Sequence, residues 1–267
     1  MRKVFAVPLA VVMLCTLMLT AAFAAEMNCW FPPDWSKKPQ QAQEIAKALS
    51  EKSGVTIKPR IAKSYPEILT AFATADQNLV YVGSFVQAII KAKGLGTALV
   101  QNIDGKDLYA GVMIYPKGQD HDAILKADSA NISYAKGASS GETAAKAATG
   151  GKAAMAVASH DAACAAVVAA KAKAAFVKDW WWEKNKEKYP TLDMFRVPDV
   201  SIDKNPDNVL TASKAVPADL QAKITEAAIA SKAAFGAPEM APFDQSRIDF
   251  PLEMMAKGGI DPKNYSW

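Results

Sequence analysis

Two residue types that carry much protein chemistry are scarce in this chain: 267 residues hold 3 cysteines and 2 histidines. Cys15 lies in an N-terminal apolar run, which leaves Cys29 and Cys164. One possible pair is no disulfide framework, and both read as small buried apolar residues. His121 and His160 are too few for a histidine-rich metal centre. The chain contains no Walker loop, no H-E-x-x-H and no C-x-x-C, so those nucleotide, metalloprotease and redox signatures are missing. Excess charge is missing too. Without Arg2 and Lys3, the 31 basic residues become 29 against 27 acidic ones, a balance that argues against a nucleic-acid partner. Only one long apolar run occurs, at the N-terminus.

That run, residues 1–25, has Arg2 and Lys3, then an apolar stretch, then Ala22-Phe23-Ala24. This is the order of a secretory signal peptide with its cleavage site. Cys15 follows Met13-Leu14 and Cys29 follows Met27-Asn28, poor settings for lipid attachment. The expectation is a soluble exported protein in the periplasm.

The remaining residues alternate between strand and helix patterns. "NCWF" (28–31), "VTIKPRIA" (55–62), "LVYVG" (79–83), "ALVQNI" and "AGVMIYP" read as strands. Residues 38–54 form an amphipathic helix pattern stopped by Gly54, and residues 84–94 one stopped by Gly94. Ser64 and Glu67 have capping-box spacing before the helix of residues 64–76. A second β/α block begins near residue 109, and the turn-rich "SIDKNPDN" (201–208) reads as a return crossing. The pattern predicts an α/β fold with parallel strands, as one large domain or as two lobes, residues 26–107 plus 208–267 and residues 108–207. No internal repeat is present.

Two helix starts stand out. In "GASSGETAAKAA" (137–148), Ser139, Ser140 and Gly141 precede a helix, where free N–H groups and the helix dipole attract anions; Ser139 with Glu142 also fits a ligand-free capping box. In "AVASHDAACAAVVAAKAKAAFV" (156–177), Ser159 is the expected N-cap, His160 the first helical residue and Asp161 the dipole-favoured second. The positive helix end should keep the His160 ring neutral. "DWWWEKNKEKYP" (179–190) reads as a tryptophan anchor for a helix, and the lysines of residues 171–188 as a solvated face.

The segment "SHDAACAAV" resembles the S-H-D-A-A-x-x-A-V segment of phosphonate/phosphite-type periplasmic substrate-binding proteins of ABC importers. "AKSYPEILTAF", "LVYVGSFVQAIIKAKG", "ASSGE" and "FRVPDVSIDKNPDNVLTASKAVPADL" are similar, in the same order, to further segments of that family. The resemblance implies a two-lobed periplasmic-binding-protein fold of type II-like architecture, with a hinge and an interlobe cleft. It implies a small oxyanion or phosphonate-like ligand, a membrane permease and ATPase as partners, a monomer, no cofactor and no catalysis. It places Tyr65 and Tyr81 on the cleft from the first lobe, and Ser139, Ser140 and His160 from the second. Ala138 departs from the family's first serine. Lys173 stands near a family acidic position and would favour extra negative charge in the ligand. Two other readings stay open: an exported metal-binding protein using His160, Cys164 and Cys29, and a ligand sensor that docks on a receptor.

Overall fold

The computed structural model describes residues 26–103, 107–137 and 140–267. The proposed signal peptide, Ala138 and Ser139 lie outside the described residues.

The first lobe opens with β1 (Glu26–Phe31), α1 (Pro39–Ser53), β2 (Thr56–Ile61), α2 (Tyr65–Ala73), β3 (Asn78–Val82), α3 (Ser84–Ala92) and β4 (Gly96–Ile103). The short β5 (Leu108–Tyr109) leads out of it. The second lobe contains β6 (Gly111–Pro116), α4 (His121–Ala127), β7 (Ile132–Ala135), α5 (Ser140–Ala148) and β8 (Met155–Val157). It continues with α6 (His160–Val168), β9 (Ala174–Lys178), α7 (Asp179–Asn185) and β10 (Leu192–Phe195). Then β11 (Asn205–Pro206) returns the chain to β12 (Val209–Ser213), α8 (Ala218–Ala230), β13 (Glu239–Pro242) and α9 (Asp249–Lys257).

Local chemistry explains the elements that matter. α1 buries Ala42, Ile45, Ala46 and Leu49 at helical spacing, and Gly54 ends it in the left-handed conformation at φ 74°. The capping box expected at Ser64 does not form: the Ser64 side chain makes no cap bond, and Glu67 instead accepts the Lys63 N–H at 2.7 Å. Ser159 does cap α6, accepting the Ala162 N–H at 3.1 Å.

The first sheet has the order β13-β4-β12-β3-β1-β2, with β1, β2 and β3 parallel and β12 antiparallel to β3. The second has the order β10-β6-β9-β7-β8, with β7, β8 and β9 parallel and β6 antiparallel to β9. The carboxyl ends of the parallel strands lead into α2, α3, α5, α6 and α7. That edge of an open α/β sheet is where ligands bind. Between the sheets, β5 and β11 pair antiparallel as the two crossings, with Asn205 opposite Tyr109.

α9, assigned by sequence to the first lobe, packs on both. Phe250 and Met254 join the second-lobe core with Ala144 and Ala145 of α5, whereas Met255 joins Phe85 and Ala88 of α3. No helix among the described residues is long and apolar enough to cross a membrane.

Candidate functional site

Helix starts from both lobes meet beside the crossings. Ser84 opens α3 and Ser140 opens α5, and the Tyr109 phenol on β5 lies between them. The Tyr109 hydroxyl is 2.9 Å from Ser84 Oγ and accepts the Ser140 N–H at 3.4 Å. Ser140 is 2% exposed, and its Oγ makes no hydrogen bond. A buried hydroxyl without a partner costs about 1–3 kcal/mol. Gly141 brings α5 close to α6: a Cβ there would sit 2.8 Å from the Phe176 carbonyl oxygen and 3.6 Å from His160 Cε1.

Lys178 ends β9 at the same place. Its Nζ is 2.8 Å from Asp207 Oδ1, 4.5 Å from the Tyr109 ring centroid and 5.2 Å from that of Trp180. Burial alone would lower its pKa, but Asp207 and the Tyr109 phenol outweigh burial and hold it above the usual lysine range. His160 feels the opposite pressure. Burial first, and then the Lys178 charge, push its imidazole down to about 3. Tyr65 is pushed above the usual phenol range by burial and by Asp34.

An aromatic rim surrounds these groups. Trp181 lies 5.3 Å from the His160 ring, and Trp182 is the buried anchor of α7. Trp267 stacks on Tyr65 at 5.9 Å and meets Phe85 and Tyr265 edge-on. Its Nε1 donates to the Gly137 carbonyl at 3.4 Å. Below it, the buried Glu142 carboxylate accepts the Gly137 N–H at 2.7 Å and the Tyr265 hydroxyl at 2.7 Å, and pairs with Lys146 at 3.2 Å.

Of the sequence-selected residues, Tyr65, Ser140 and His160 stand at helix starts on the carboxyl edges of the two sheets. Ser139 lies outside the described residues. Tyr81 is 1% exposed and meets Trp35 and Phe235 edge-on in the first-lobe core. Lys173 stands apart from these groups. It is exposed before β9, its N–H donating to the Asn131 carbonyl at 2.8 Å. The strand rise puts it roughly 16 Å from the cleft end. The lysine beside Tyr109, Asp207 and Trp180 is Lys178, which the reading of residues 171–188 as a solvated face does not single out. Tyr109, Asp207, Trp180 and Trp267 were passed over too. The signal available for Lys178 was a charge closing the apolar strand "AAFV".

The ligand set of the metal reading is not assembled. Cys29 is buried in the first-lobe core and Cys164 in the second, both as free thiols. Burial lifts Cys164 to about 12 and Cys29 further still. Asp120, His121 and Asp122 cluster at the start of α4, where His121 stacks on Phe195 at 3.6 Å.

The depressed His160 pKa has a consequence for stability. An unfolded histidine protonates near 6.5, whereas the folded one stays neutral to about 3. Between these values the unfolded state binds more protons, so stability falls as pH falls. By pH 4.5 the His160 contribution to this loss is about 2–3 kcal/mol. Urea unfolding at pH 7 and 4.5 is expected to give a smaller acid loss for His160→Gln than for the wild type. Equal losses would place the imidazole in water.

Two α/β lobes joined by two paired crossings are the architecture of a periplasmic-type binding protein. A family model described as the periplasmic substrate-binding protein of a phosphonate ABC transporter matches residues 33–247, and the chain belongs to that family. Among solved structures, PhnD1 from Prochlorococcus marinus in complex with methylphosphonate is 17% identical with a TM-score of 0.66, covering 88% of this chain and 98% of that one. A binding component of an ABC phosphonate transporter from Pseudomonas aeruginosa is 12% identical with a TM-score of 0.60, covering 87% of this chain and 88% of that one. XAC2383 from Xanthomonas citri, bound to ATP, is 9% identical with a TM-score of 0.67, covering 88% of this chain and 97% of that one. At these identities the likeness concerns the fold. No curated protein matches the chain.

Proposed function

We propose that this protein captures a small phosphonate or related oxyanion between its lobes and delivers it to the permease and ATPase of an importer. It does so as an exported periplasmic monomer and does not transform its ligand. The moving bodies are residues 26–107 with 208–267, and residues 108–207, closing about the β5–β11 pair. The observation that carries the reading is Ser140: a hydroxyl buried without a partner, at the start of a nine-residue helix, beside His160 and Lys178. Helix-start N–H groups, a neutral imidazole and an ammonium together suit phosphoryl oxygens. Methylphosphonate in PhnD1 supports the choice of ligand class.

Titration calorimetry with methylphosphonate, phosphite, phosphate and sulfate tests this. At least one should bind, and Ser140→Ala and Tyr65→Phe should each weaken that ligand by about 1–3 kcal/mol, or roughly 5- to 150-fold. Unchanged affinity in both variants, with circular dichroism preserved, would move the site elsewhere.

A further inference from the structure

We propose that Lys178 selects ligands by charge, so that the cleft favours anions carrying two negative charges over monoanions and over zwitterions bearing an ammonium. This rests on the reading of the cleft as an oxyanion site.

Position is the first argument. Lys178 Nζ lies 3.9 Å from where a Cβ on Gly83 would stand, directly before α3 of the opposite lobe. It also lies over the Tyr109 ring, whose hydroxyl meets the starts of α3 and α5. The ammonium therefore sits where the lobes face each other.

Donor accounting is the second. An ammonium has three N–H donors. One is used by Asp207 at 2.8 Å, its hydrogen-bonded partner among the described residues. The remaining contacts are with the Tyr109 and Trp180 rings. A ring face holds a cation more weakly than a charge-assisted hydrogen bond does, so an arriving anion gains two strong donors without displacing Asp207.

Charge accounting is the third. Asp207 balances Lys178, and His160 is neutral. Glu142 is engaged by Lys146, Tyr265 and Gly137. The starts of α3, α5 and α6 each add roughly half a positive charge. A ligand ammonium entering this field meets like charge at Lys178 and at three helix starts, with the paired Asp207 and the exposed Asp34 near Tyr65 as the opposing charges.

The test uses three probes of similar size at pH 8 and low salt: methylphosphonate, its monomethyl ester and aminomethylphosphonate. Calorimetry on the wild type is expected to favour methylphosphonate over both others by about tenfold or more. Lys178→Gln should bring the three within about threefold of one another. Because Lys178→Gln strands Asp207, the double variant Lys178→Met with Asp207→Asn removes both charges and should show the same loss of preference. Methylphosphonate binding without discrimination in the wild type, or discrimination that survives in both variants, overturns the role of Lys178 alone. Failure of the wild type to bind any of the three overturns this proposal, and failure to bind phosphite, phosphate and sulfate as well overturns the oxyanion reading with it.

Discussion

Replacing Gly137 by alanine is expected to drive Trp267 from its seat between the lobes and to lower the melting temperature by about 6–12 °C. Gly137 has φ 64°, where a side chain costs about 1–2 kcal/mol. The added Cβ would stand 1.9 Å from Trp267 Nε1 and 2.4 Å from its Cδ1, so the indole must leave. It then loses its hydrogen bond to Gly137, its stack on Tyr65 and its edge contact with Tyr265. Together these amount to about 3 kcal/mol. Gly150→Ala is the control: it shares the positive φ, 58°, but its Cβ meets nothing within 4 Å. If thermal melts and tryptophan emission are the same for the two variants, Trp267 is not held by Gly137.

The other large effect is expected at Glu142. Glu142→Ala removes the acceptor for two donors and the partner of Lys146 from a side chain that is 1% exposed. Breaking a buried pair costs about 3–5 kcal/mol, and the partly exposed Lys146 can turn to water, which points to about 3 kcal/mol here. Tyr265→Phe should cost about 1 kcal/mol. Combining Tyr265→Phe with Glu142→Ala should add nothing further, because the bond is already gone. Additive losses in guanidinium unfolding would show that the carboxylate and the phenol act independently.

What the sequence disclosed, and what it concealed, divides along contact distance. Helix spacing in α1, the stop at Gly54 and the cap at Ser159 depend on neighbours a few residues away, so they were readable. The crossing at residues 201–208 was readable from turn chemistry, and β11 lies within it. Ser140 and His160 stand out because helix starts leave a local pattern, whereas Tyr65 enters only through the family resemblance. Lys178 was not, since its burial is made by Asp207, 29 residues on, and by Tyr109 on another strand. Tyr81, given by the resemblance, lies on β3, which is buried along its whole length, and a strand covered on both faces has no alternation to reveal which side meets a ligand. Glu142 was read as half of a local capping box. Its carboxylate reaches back to Gly137 and across to Tyr265, a partner 123 residues away.

The seat of α9 limits how the two halves part. Two extended crossings alone would act as a pin on which rigid plates swing freely. α9 adds a roller between the plates, with Met255 bedded against α3 on one side and Phe250 and Met254 bedded against α5 on the other. Any motion that draws Ser84 away from Ser140 must also slide one of these interdigitated seams. Close-packed side chains slide in steps from one fitted arrangement to the next, with poor packing between. A lobe motion about the crossings would therefore be indexed by the seam rather than continuous.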